Sequence, residues 1–171
     1  GAVTVSSAYE YDDAERLYSI PTPVLGSANA STFIYNYNLR NGAVSSIQNA
    51  TAGISCSYGY DIMERIDTIT YSKANGTLIR SIAYGYDAGG MITSKTIGGG
   101  TTSVSSYEYD SLDRLLSETR TAGGTASVLS FIYDLAGNRL SKINNSTTIN
   151  YQLGSGNRLT SWGASFTNDL L

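Results

Sequence analysis

Apolar and polar positions alternate along this chain in short stretches, and none carries the 3.6-residue period of a useful length of helix. Tyr9 and Tyr11 lie two apart, as do Tyr35 and Tyr37, Tyr58 and Tyr60, Tyr84 and Tyr86, and Tyr107 and Tyr109. A period of two puts both rings of each pair on one face of a strand. Runs rich in Tyr, Val, Ile and Thr between clusters of Gly, Asn and Asp predict strands of about eight residues joined by turns. The strands lack a clean apolar face. Strict alternation puts Leu115, Ser117 and Thr119 on one side and Leu116, Glu118 and Arg120 on the other. Such strands suit a single sheet partly wet on both sides.

The alternation is organised in repeats. Tyr9-Glu10-Tyr11-Asp12-Asp13-Ala14-Glu15-Arg16-Leu17 is matched position by position by residues 58–66, with Tyr58, Tyr60, Asp61 and Arg65, and by residues 107–115, with Tyr107, Tyr109, Asp110 and Arg114. Residues 84–92 keep Tyr84, Tyr86 and Asp87 and lose the Arg. Two copies read as one residue longer: Tyr35-Asn36-Tyr37-Asn38 running to Gly42 and Val44, and Phe131-Ile132-Tyr133-Asp134 running to Gly137 and Arg139. A degenerate copy starts at Tyr151-Gln152. Taking the second Tyr at 11, 37, 60, 86, 109, 133 and 151 gives spacings of 26, 23, 26, 23, 24 and 18. Each unit fits two strands and two turns, so seven hairpins give about 14 strands, roughly 65 Å of sheet. A strip with two free edges invites pairing with more chain.

The Asp after the second Tyr opens a turn, where its carboxylate accepts backbone N–H groups two residues on. Gly42, Gly89 and Gly137 are expected to supply the positive φ such a turn needs. The Arg is expected across the turn or beside a neighbouring repeat, with Asp12/Arg16, Asp61/Arg65, Asp110/Arg114 and Asp134/Arg139 as candidate pairs. Stacked hairpins would gather the Tyr pairs into ladders. At the opposite ends, Asn75-Gly76 signals a type I′ hairpin, with Gly98–Gly100, Gly123-Gly124 and Asn144-Asn145 in the same place elsewhere. Pro21 and Pro23 fall in the longest connection.

Composition sharpens this picture. The 171 residues include 14 Tyr, 18 Gly, 24 Ser and 18 Thr, with 15% charged residues and no His. Without His, neither Ser-His-Asp nor Cys-His catalysis nor a His-ligated zinc site can be built from this chain alone. One cysteine, Cys56, forbids an internal disulfide and Cys-rich metal sites, and reads as a small apolar residue in a strand. A net charge of −3 argues against nucleic acid. No apolar run reaches the length of a membrane helix.

The repeated Y-x-Y-D-x-x-G/E/D-R-L pattern resembles the RHS/YD-repeat family over nearly the whole chain. The resemblance implies an all-β fold of tandem antiparallel hairpins in a long, spiralling single sheet, without helices, and a place in a large secreted or surface protein. In the best understood relatives the sheet winds into a hollow shell around a toxin or other cargo, closed by a region that in some cleaves itself with Asp residues. No D-P-x-G-x-x-G-G junction and no toxin-like tail occurs here, so that processing carries over to no residue. The expected organisation is one array over residues 1–171. Its Tyr, Asp and Arg positions are structural, with no catalytic, cofactor or metal site.

Competing readings concern the same residues. The series Asp12, Asp61, Asp87, Asp110 and Asp134 has the oxygens calcium takes, but each Asp sits at one turn position without an acidic cluster around it. Tyr faces can stack sugars, which gives a glycan-binding adhesin as an alternative to a wall or fibre segment or a toxin shell. Sequons occur at Asn29, Asn49, Asn75, Asn144 and Asn145, a pattern that Asn beside Ser/Thr in turns also produces. Gly154-Ser155-Gly156 lacks the spacing of a nucleophile elbow. Phe166-Thr167-Asn168-Asp169 reads as the start of an eighth copy, which the residues at Gly1 would continue if Leu171 were followed by Gly1 of another unit. That junction suggests one unit of a longer array, with further copies or flanking repeats as partners, and a start without Met suggests a processed product or a piece of something longer.

Overall fold

The computed structural model describes residues 9–22, 31–162 and 164–165. The proposed eighth copy, the junction at Gly1, Pro23 and the sequon at Asn29 lie outside them. The described residues form fifteen strands: β1 (Glu10–Tyr11), β2 (Leu17–Thr22), β3 (Ser31–Tyr37), β4 (Val44–Asn49), β5 (Ile54–Tyr60), β6 (Ile66–Lys73), β7 (Leu78–Tyr86), β8 (Ile92–Gly98), β9 (Ser103–Tyr109), β10 (Leu115–Ala122), β11 (Thr125–Tyr133), β12 (Arg139–Asn144), β13 (Thr147–Leu153), β14 (Leu159–Trp162) and β15 (Ala164–Ser165). A single 3₁₀ turn, Ser155–Asn157, interrupts them, and no α-helix occurs among the described residues. Strand order in the sheet is the order in the chain. The fold is thus all-β, built of tandem antiparallel hairpins. By contacts the chain divides into two compact units, Gly1–Tyr84 with Ile97–Gly100, and Gly85–Thr96 with Thr101–Leu171.

In the first unit, cross-strand partners sort the residues into two chemically distinct faces. One ladder runs Tyr35, Ile47, Cys56, Tyr71, and Tyr58 pairs with Ile69, which pairs with Ile82. The other face runs Asn36, Ser46, Ser57, Thr70, Ser81. Tyr rings of the Y-x-Y strands therefore do not stack in an unbroken ladder, because Ile47 of β4 and Ile69 of β6 stand opposite Tyr35 and Tyr58. The second unit carries charge on its Tyr side, in the row Tyr107, Glu118, Leu129, Asn144. Its opposite face runs Glu108, Ser117, Ser130, Ile143, Thr148.

A register shift at the end of β1, β3, β5, β9, β11 and β13 alters the face pattern that strict alternation predicts. Tyr109 pairs with Leu115 but Glu108 pairs with Ser117, so Leu116 is the extra residue of a β-bulge. Leu115 consequently shares its side with Glu118 and Arg120, not with Ser117 and Thr119. The same shift recurs at Tyr11, Tyr37, Tyr60, Tyr133 and Leu153. Pro21 lies within β2 opposite Thr32 rather than in a connection. Among the described residues β1 pairs with β2 only at Leu17 and Ser19, so no described ladder pair on that side needs the N–H that Pro21 lacks.

No hydrophobic side chain is buried among the described residues; the buried side chains are Ser19, Ser103, Ser105 and Ser141. A sheet with no second layer has nothing to enclose its apolar groups. Local hydrogen bonding and repeat-to-repeat contacts must hold it together.

Candidate functional site

The repeated turn is one geometry built five times. The N–H of Asp12 donates to the carbonyl of Arg16, and the N–H of Glu15 donates back to that of Asp12. Asp61, Asp87, Asp110 and Asp134 make the equivalent pairs with Arg65 and Glu64, Met91 and Gly90, Arg114 and Asp113, and Asn138 and Gly137. This is a three-residue loop, a type I turn followed by one residue in the left-handed region. That residue is Glu15 (φ 59°), Glu64 (62°), Asp113 (60°), Gly90 (91°) or Gly137 (87°). Gly90, not Gly89, is therefore the positive-φ residue of its turn, since the position is three after the Asp. The Asn38 loop is longer by one, with Gly42 at φ 73° and Ala43 closing it. Asn75-Gly76 forms the same three-residue loop, with only Gly76 at positive φ, so it is not type I′.

Glutamate and aspartate at positive φ are strained where glycine is not. Glu64→Gly and Asp113→Gly are each expected to stabilise the protein by about 0.5–1 kcal/mol, the relief of strain exceeding the entropy glycine adds to the unfolded chain. Urea midpoints measure this, and a drop on both substitutions would contradict the turn assignment.

The turn Asp fixes both the loop and the Arg. Oδ1 of Asp61 accepts the N–H groups of Met63 and Arg65 at 2.9 Å each, and Oδ2 accepts Arg65 Nε at 2.7 Å. Asp12 with Ala14 and Arg16, and Asp110 with Leu112 and Arg114, repeat the set. Asp134 does not take Arg139. Its oxygens accept the N–H and side-chain amide of Asn138, which stands in the Arg place because this loop is no longer than the others. Asp87 accepts the N–H of Met91. Arg16 donation to the Asp12 side chain, the Arg65 and Arg114 backbone N–H groups at Asp61 and Asp110, and the Asn138 side chain at Asp134 each hold the carboxyl below the ordinary value. Depressed folded pKa values contribute stability above the unfolded value of about 3.9 and lose it as pH falls through the folded value. Stability is thus expected to decline below about pH 4, and Asp110→Asn should flatten that decline; an unchanged slope would refute it.

The Arg then reaches the next Y-x-Y strand. Its guanidinium lies over a Tyr ring of the following copy, Arg16 over Tyr37 at 4.4 Å and Arg114 over Tyr133 at 4.8 Å; Arg139, one residue beyond the Arg place, lies over Tyr151 at 4.5 Å. The second Tyr hydroxyl donates back to the carbonyl of the first residue of the strand after the preceding turn: Tyr37 to Leu17, Tyr60 to Val44, Tyr109 to Ile92 and Tyr133 to Leu115, at 2.7–3.0 Å. Arg114 also donates to the carbonyl of Asp134 at 3.0 Å. Asp, Arg and the next Tyr thereby form a clasp from one copy to the next. The guanidinium occupies a ring face that a stacked sugar would use.

Of the remaining pattern residues, Tyr9 and Tyr11 are exposed, and Tyr35, Tyr58, Tyr84, Tyr86 and Tyr107 are half-buried. Lys95 lies over the Tyr107 ring at 5.8 Å. The Cys56 thiol group hydrogen-bonded to Tyr58 pushes that phenol up to about 12. In the degenerate copy Gly154 takes the Asp place, its N–H donating to the Arg158 carbonyl. Tyr151 is therefore the first and Leu153 the second residue of the Y-x-Y pair.

A further repeated position escaped the sequence reading. Seven residues after the turn Asp stands a hydroxyl: Ser19, Thr68, Ser94, Ser117 and Ser141, with Ser46 eight after Asn38 and Ser161 seven after Gly154. It faces the residue between the two Tyr positions. Ser19 and Ser117 donate to Glu10 and Glu108, and Asn36 donates to Ser46. Opposite Ile132, buried Ser141 Oγ has no hydrogen-bond partner. Aligning the copies two residues further finds this column, which the abundance of Ser conceals. Among the described residues no three acidic or Cys side chains gather as a metal site, and no helix is long and apolar enough to cross a membrane.

Residues 86–126 match the RHS Repeat family. No curated protein sequence matches the chain. Among solved structures, the chain resembles the Photorhabdus luminescens Tc holotoxin pore, at a TM-score of 0.79 and 18% identity over 92% of this chain and 9% of that one. It also resembles the TcdB2-TccC3-TEV and TcdB2-TccC3-Cdc42 crystal structures, each at 0.78 and 18% over 90% of this chain and 9% of theirs. The chain thus spans about a tenth of the length of these neighbours, and shares their fold.

Proposed function

We propose that the chain is a non-catalytic structural segment of a YD-repeat array, a wall or fibre element of a large extracellular or cell-surface assembly of bacterial type. In this reading the two units belong to one array over residues 1–171, which continues into neighbouring repeats through its sheet edges. The observation that carries it is the clasp. Where it is complete, Asp, Arg and Tyr join one copy to the next, as in Arg114 with Asp110, Tyr133 and Asp134. Likeness to chains of a Tc holotoxin supports a second reading, a portion of a hollow shell that encloses a toxin. Electron microscopy of the native particle carrying this chain tests both. Filaments or tubes support the first and closed capsules the second, whereas an isolated chain with catalytic turnover and no larger assembly contradicts the scaffold role.

A further inference from the structure

The tips of the repeated turns carry large apolar side chains that touch little. Leu39 is 99% exposed, Ile62 101% and Met63 61%. Middle positions of a type I turn accept most residues and favour polar ones or Pro, so turn formation does not call for Leu or Ile there. Leu39 and Ile62 occupy successive turns of the first unit. Between those turns lies a notch of about 110 Å³ whose lining includes Arg40, Asp61, Ile62 and Glu64.

The charges beside the notch are opposite and complementary to themselves. Arg40 follows Leu39 and Glu64 follows Met63. Both are exposed and neither has a side-chain partner among the described residues. Asp61, the other acid of the notch, is already held by Arg65. A two-fold axis through the notch would set Arg40 of one copy against Glu64 of the other, twice, and bring Leu39 against Ile62 and Met63. This is the condition for an isologous contact, in which one patch serves both partners.

We propose that this turn edge is an interface with a second copy of the chain, in which Arg40 pairs with Glu64 across a two-fold axis and Leu39, Ile62 and Met63 close the apolar centre. A patch of three apolar side chains and two ion pairs belongs to the small, weak class of interfaces. The contact joins arrays side by side along their turns, which is distinct from end-to-end continuation through strand edges, and it stands or falls separately from the scaffold reading.

Sedimentation equilibrium on the full chain tests it by charge exchange. The unaltered chain is expected to dimerise reversibly. Arg40→Glu and Glu64→Arg each place like charges in both pairs and should weaken dimerisation at least tenfold. Mixing the two variants restores both opposite-charge pairs and should restore dimerisation between them, as should combining both changes in one chain. Circular dichroism confirms that these exposed turn substitutions leave the strands intact. A chain that stays monomeric, single variants that dimerise unchanged, or a mixture that does not recover would each overturn the proposal.

Discussion

Tyr133→Ala lowers the unfolding free energy by about 2–3 kcal/mol, while Tyr133→Phe lowers it by about 1 kcal/mol. The difference separates two functions of one side chain. The hydroxyl donates to the Leu115 carbonyl at 3.0 Å, and the ring provides the surface over which Arg114 lies. Phe keeps the ring and loses the hydrogen bond, whose net worth is near 1 kcal/mol. Ala removes both, along with apolar area that is only half-buried, so the loss is smaller than for an aromatic residue in an enclosed core. The effect should be felt locally, because strands lie beside their neighbours in the chain and the stability of such a repeat array is close to a sum of nearest-neighbour terms. Hydrogen exchange should quicken in β10 and β11, flanking the broken clasp, before it quickens in β3 to β5 of the first unit. Equal costs for Phe and Ala, measured by urea unfolding, would show that the ring does not contribute.

Gly99→Ala is expected to cost on the order of 3 kcal/mol, although it adds one methyl group to an exposed turn. Gly99 has a φ of 93°, where an L side chain is strained. A β-carbon there would also run into the Ile79 carbonyl and the Arg80 α-carbon, which are backbone atoms that cannot rotate away. The neighbouring Gly100 offers the control. It too has a positive φ, of 154°, but a β-carbon there meets nothing within 4 Å. Gly100→Ala should therefore cost clearly less, and thermal unfolding of the two variants compares them directly. Equal costs would mean that close backbone approach at Gly99 does not constrain the chain.

The Y-x-Y-D register is legible in the sequence because it rests on local geometry. Two residues set the face of a strand, and an Asp at the start of a turn captures its own loop. What lay beyond reach depends on pairing between strands. The bulge at Leu116 is invisible along β10, since it is defined by which residue of β9 stands opposite. It reverses the facing of Ser117 and Glu118. The same limit misled the reading of Arg139. Counting to the nearest Arg made the loop one residue too long, whereas the hydrogen bond from Asn138 to Asp134 shows that a neutral amide fills the Arg place. Arg139 instead lies over Phe131 and Tyr151. Gly89 and Gly90 are equivalent in sequence, and only the bond from the Gly90 N–H to Asp87 distinguishes them. That no apolar side chain is buried among the described residues agrees with abundant Ser and Thr, since strands dressed in hydroxyls have little to bury.

A double-mutant cycle on Arg114 and Tyr133 tests most directly whether clasps between repeats, rather than a core, hold this sheet together. Arg114→Ala alone should cost about 1–2 kcal/mol through the lost carbonyl hydrogen bond and ring contact. If the clasp acts as a unit, Arg114→Ala combined with Tyr133→Ala will cost at least 0.5 kcal/mol less than the sum of the single changes, a coupling in the range found for residues in contact. Additive costs would mean that Arg and Tyr stabilise the sheet independently, and would contradict the account.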